Sequence, residues 1–148
     1  MKIAKALKLK NQLAGDVAQL KQRLTQQNSR ATKQKFDYDN REVLTRLRAK
    51  IDELIKTKAA VAAANAEVYD KIFRLAELKG LVATLNGLDT KAGVFQEGRV
   101  FGEAAYEVEY VAQLGKVDVD KLVDECNTEI QALQDALDEF NFTRNVNL

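Results

Sequence analysis

The sequence predicts a mainly α fold: an elongated antiparallel helical bundle or coiled coil of three helices, with a small β-hairpin element near one end and a short C-terminal strand. Three observations predict it. The 148 residues contain no Pro and no Trp, and 30% are charged, a balance dominated by good helix formers. Apolar residues recur in alternating steps of three and four over long stretches. A period of two appears only late in the chain.

The first helix is expected from about Lys2 to Asn28. Ile3, Leu7, Leu13, Val17, Leu20 and Leu24 keep one stripe, with Ala6 and Ala14 filling in. A polar stretch from Ser29 to Asp39 follows as a loop, and Asp37 and Asp39 offer N-caps. The second helix, about 40–85, carries the strongest pattern. Leu44, Leu47, Ile51, Leu54, Lys58, Val61, Asn65, Val68, Ile72, Leu75, Lys79 and Val82 make a heptad seam. At 1.5 Å per residue it spans about 68 Å, a length that other helices must line. Ile55, Tyr69, Phe73, Leu78 and Leu81 lie off the seam, so more than one neighbour is needed. The run from Ala59 to Ala64 allows close approach of helices, and Asn65 in a core-type position is expected to fix register.

Asn86-Gly87 ends this helix. The β element is expected over about 94–114: a short hairpin or glycine-rich turn around Val94-Phe95 and Val100-Phe101, then a strand alternating through Tyr106, Val108, Tyr110, Ala112 and Leu114. Val119, Val123, Cys126, Ile130, Leu133, Leu137 and Phe140 step by four and three, which predicts a third helix over about 118–140. The alternating tail, 142–148, is expected as a last strand. The chain is read as one unit over 1–148.

Charge is unevenly spread. Met1 to Phe36 holds nine Lys or Arg and one acid, while Val94 to Leu148 holds twelve acids and four Lys or Arg. The two ends are expected to lie against each other, within a chain or between chains. A basic helix that holds an anionic partner is the sharper alternative. It carries no aromatic residue for base stacking, so no specific nucleic acid is expected.

Little in the chain points to catalysis. There is no His, hence no Ser-His or Cys-His pair and no common metal ligand. Cys126 is single and lies on the third-helix stripe, which marks an inert core thiol. Asp118, Asp120, Asp124 and Glu129 match some positions of a calcium-binding loop, but Leu122 and Val123 stand where a ligand and a glycine are required. Glu107 and Glu109 share a strand face and read as solvated. Lys79-Gly80 lacks the upstream glycine of a phosphate loop, and Asn141-Phe142-Thr143 is a formal glycosylation site without a secretory signal. No cofactor, metal, catalytic residue or membrane partner is expected, and the protein is expected to be cytoplasmic, in a bacterium or an infected host cell.

The opening from Met1 to Leu7, the segment Leu20-Lys21-Gln22-Arg23-Leu24, the run from Val61 to Asn65, Val117-Asp118-Val119 and the closing Asn141-Phe142-Thr143 resemble the small septicolysin-like prokaryotic proteins. Of that family's central polar trio only Asn65 remains, and Phe142 stands in place of Trp. The resemblance implies a helical bundle with a small β element, and oligomers.

The leading expectation is a non-catalytic homo-oligomeric interaction or scaffold protein. Its core and oligomer seam is Leu47, Ile51, Leu54, Asn65, Ile72, Leu75, Ile130, Leu133 and Leu137. The alternative is a sequestering protein, of the kind a phage uses against host defence, that holds an anionic nucleotide-like ligand between protomers. Its candidate contacts are Arg99, Tyr106, Tyr110, Asn141 and Arg144, since Arg and Tyr suit phosphate and base recognition.

Overall fold

Helix α1 (Ile3–Gln26) has no side-chain cap at Lys2. Its first amide is instead satisfied from the far end of the sequence: Ile3 N–H donates to the Arg144 carbonyl at 3.0 Å. Helix α2 (Asn40–Asn65) starts with its own cap, Asp39 accepting from Arg41 N–H, and Glu42 sits at the third helical position where an acid favours the helix start. The α-helical ladder tightens just after Asn65, where a 3₁₀ turn covers Ala66–Val68, and helix α3 (Tyr69–Asn86) follows at once. Strands β1 (Gly93–Glu97) and β2 (Tyr106–Tyr110) form an antiparallel pair, and helix α4 (Lys116–Thr143) completes the order. This computed structural model describes residues 1–98, 102 and 104–148.

Two compact units are distinguished where the sequence reading treats 1–148 as one. The first comprises Met1–Tyr69 and Leu137–Leu148, the second Asp70–Ala136.

In the first unit, α1 and α2 form an antiparallel helical hairpin. Leu13, Val17 and Leu20 bury against Val43, Leu47 and Leu54, with Leu9, Leu24, Tyr38 and Ile51 at the margin. Each fully buried aliphatic side chain contributes on the order of 1.5–3 kcal/mol. The interhelix loop is held by polar contacts. Asp37 N–H donates to Gln27 Oε1 at 2.8 Å, Tyr38 hydroxyl to the Arg23 carbonyl at 2.8 Å, and Asn40 Nδ2 to the Leu24 carbonyl at 2.9 Å. At the other end of the hairpin Ile3, Ala6, Val61 and Val146 bury together, joined by Leu7, Ala64 and Phe140. The C-terminal strand expected over 142–148 is not a strand. Residues through Thr143 continue α4, and a single bridge pairs Asn145 with Lys2. The reason is local: Arg144 N–H still donates to the Phe140 carbonyl at 2.8 Å, so the helical ladder outlasts the alternating pattern. Lys2 Nζ reaches the Thr143 carbonyl at 2.6 Å, a cation where the helix dipole places negative charge. Residues 1–3 and 143–146 lie side by side here, joined by backbone and carbonyl contacts.

The seam of α2 keeps every second expected position and shifts the intervening ones by one residue. Leu47, Leu54, Val61 and Val68 are buried, but the intervening places are taken by Val43 and Thr57, while Leu44 and Lys58 are exposed. The two sets run in parallel with the same three-four spacing, and the side on which α1 docks selects between them. Thr57 is tolerated inside because its hydroxyl donates to the Glu53 carbonyl at 2.8 Å.

In the second unit, α3 and α4 are linked by an ion pair between Arg74 and Glu129. Of its apolar residues only Leu85 and Val119 are buried, among the described residues. The strand expected to reach Leu114 stops at Tyr110. Gly115 opens α4, donating its N–H to the Asp118 carboxylate at 3.2 Å, the acid half of a capping box, while its carbonyl accepts the first helical bond from Val119 N–H at 3.0 Å.

Candidate functional site

The sequence-derived candidates fall into both units. Tyr106 and Tyr110 lie on β2, in the second unit. Asn141 and Arg144 belong to the first, at the end of α4 and just beyond it. Arg144 forms an ion pair with Glu67, so its guanidinium already has an acid partner. Arg99 lies outside the described residues.

The seam residues divide in the same way. Leu47, Leu54 and Leu137 are buried in the first unit, and Ile51 is half-buried beside them. Asn65 is half-buried, and its Oδ1 is enclosed without a hydrogen-bond donor. Ile72 and Leu75 on α3, with Ile130 and Leu133 on α4, are all only half-buried. Leu81, Leu88, Val94, Val111, Leu114 and Val117 are exposed in the same unit, Val111 and Val117 to more than 80%. The second unit therefore presents apolar surface without an apolar interior to match.

Its hairpin carries a polar cluster that the sequence reading missed. The register sets Glu97 opposite Tyr106 and Gly93 opposite Tyr110, so Phe95, Glu97, Tyr106, Val108 and Tyr110 share one face. Lys91 Nζ lies 2.9 Å from the Glu97 carboxylate. The same ammonium stands 4.5 Å from the Phe95 ring centre and 4.2 Å from that of Tyr110, within cation–π range. The two rings meet edge to face, 5.9 Å apart and at 75°. Tyr110 hydroxyl donates to the same carboxylate oxygen. The hydrogen bond from Tyr110, then that from Lys91, holds the Glu97 carboxyl below its ordinary range. Bonding to Glu97 raises both Lys91 and Tyr110. Each ionisable group is held in its usual charge state, so the cluster fastens the hairpin and has no poised acid or base.

Glu97 stood two residues from Phe95 in the sequence, a same-face spacing. Its link to Tyr110 required the pairing register, which spacing within one strand does not state.

In the first unit an open depression of about 710 Å³ lies over the α1–α2 loop, against Gln27, Phe36, Asp37 and Asn40. Asp37 there is engaged by Gln27 and by Arg30, 3.8 Å away. Among the described residues no three His, Cys, Asp or Glu are arranged to hold a metal ion. Cys126 is a free, half-buried thiol. No described helix is long and apolar enough to cross a membrane. No family model matches the chain, and neither a curated protein nor a solved structure matches it.

Proposed function

We propose that the chain is a non-catalytic helical scaffold that works as a homo-oligomer and assembles through its second unit. One observation carries this reading. The three-four apolar repeat is covered by α1 along α2 but left half in water along α3 and α4, at Ile72, Leu75, Ile130 and Leu133. A repeat of that spacing is a surface for another helix. A second copy brings the same repeat and the same need, which makes the contact self-complementary.

The anion-sequestering alternative has less support, since Arg144 and Tyr110 are already paired with Glu67 and Glu97.

Native mass spectrometry of the purified chain tests the proposal, with light scattering after size exclusion beside it. Oligomers of one fixed subunit number are expected. A chain that remains a monomer at micromolar concentration overturns it.

A further inference from the structure

We infer that, in the homo-oligomer proposed above, two copies join their hairpins edge to edge through β1. The product is a four-stranded antiparallel sheet in the order β2–β1–β1–β2, with Phe95 of each copy at the two-fold axis. The inference rests on the scaffold reading and names where its copies meet.

Three observations lead there. The sheet has two strands only, so among the described residues each strand has an edge without a ladder partner. An isolated two-stranded ribbon is marginal in water and gains stability from added strands. The hairpin is also poorly covered within its own chain: Val94 is 59% and Tyr106 57% exposed, and Gln96 lies in water.

Charge then chooses the edge. On β2 the sequence Tyr106-Glu107-Val108-Glu109-Tyr110 carries two carboxylates. A two-fold pairing centred on Val108 would set Glu107 of each copy directly opposite Glu109 of the other, and like charges so placed destabilise a sheet. The middle of β1, Val94-Phe95-Gln96, carries no charge. Its one acid, Glu97, is neutralised by Lys91 and hydrogen-bonded by Tyr110. With Phe95 on the axis, Val94 faces Gln96 of the other copy and Gly93 faces Glu97, so no two acids oppose each other. The strand is five residues long with Phe95 at its centre, which lets all five residues pair. The acidic β2 strands become the outer edges, where charge discourages further addition. The assembly stops at one pair of hairpins.

Disulfide trapping tests this on the full-length chain with Cys126→Ser as background. Residues opposite each other in an antiparallel pair lie about 4.5–5.5 Å apart at Cα, inside the range a disulfide spans. Phe95→Cys is expected to give a covalent dimer under mild oxidation. The double variant Val94→Cys with Gln96→Cys, which spares the ring under Lys91, is expected to do the same. Val108→Cys on β2 is expected to stay uncrosslinked. Hydrogen exchange on the unmodified oligomer should show slow exchange at every amide of β1, including those that face away from β2. An oligomer in which neither β1 variant crosslinks, or in which Val108→Cys crosslinks, overturns the edge assignment and leaves the scaffold reading standing. A chain that is monomeric throughout overturns both.

Discussion

A handful of side chains decide how the hairpin is held. Tyr110→Phe removes the hydroxyl that donates to Glu97 and leaves the ring beside Lys91. The Glu97 carboxyl is then expected to titrate closer to its ordinary range, read by carbon NMR of that residue, with Lys91 alone holding it down. The pH dependence has a definite sign. Glu97 is lowered, so its contribution is present above the ordinary carboxylate value and is lost as pH falls through the lowered one. Lys91 and Tyr110 are raised, so theirs is present below their ordinary values and is lost as pH rises through the raised ones. Ring shifts of Phe95 and Tyr110 are expected to hold steady between these limits and to move at both. Gly98 sets a second condition. Its φ is +84°, and a Cβ there would run into the ring of Tyr106. Gly98→Ala is expected to cost about 1–2 kcal/mol in backbone strain alone and to displace the Tyr106 ring, seen as loss of cross-strand NOEs. The shared strand face of Tyr106 and Tyr110 was legible from the residues alone; their link to Glu97 and Lys91 was not, because it depends on the pairing register.

Among the elements, the long helical stretch was legible in length and spacing but not in phase. The expected seam mixed the inward set of Leu47, Leu54 and Val61 with the outward Leu44 and Lys58. An apolar repeat two positions wide does not say which of its edges a neighbour will cover. The 3₁₀ turn at Ala66–Val68 was not announced: the sequence predicts one unbroken helix over about 40–85, with Asn65 fixing register. At Asn65, the last residue of α2, the backbone is at φ −75°, ψ −9°, and Oδ1 lacks a donor. Replacing that carboxamide with Leu removes an unsatisfied acceptor, whose penalty runs at about 1–3 kcal/mol. Asn65→Leu is therefore expected to raise the thermal midpoint in calorimetry. The end of α4 misled the alternating pattern for a different reason. Asn141-Phe142-Thr143 and the residues after it alternate as a strand does, yet the last helical hydrogen bonds and the clasp to Met1–Ile3 were available only in three dimensions.

For the molecule as a whole, the two units answer differently to the same kind of change. Leu54 packs inside the α1–α2 hairpin of a single chain, so Leu54→Asp buries an unpaired charge and is expected to abolish the cooperative thermal transition of that unit in circular dichroism. Ile72 is half-buried on α3. Ile72→Asp is expected to yield monomers in native mass spectrometry while the α1–α2 hairpin keeps its helical signal. An unchanged subunit number after Ile72→Asp counts against α3 as part of the interface. The need for helical company was legible in the repeat; whether it comes from the same chain or another was not, since both solutions use one spacing. The clasp between the two ends of the sequence has a consequence for synthesis. Ile3 and Ala6 are enclosed by Phe140 and Val146, which are synthesised well after them. On the ribosome the α1–α2 pair can zip from its loop as soon as both helices emerge, yet its open end stays greasy until the segment from Leu137 onward leaves the exit tunnel. A nascent chain stalled before Leu137 would expose that bare patch, and a holdase chaperone or a protease would meet it first.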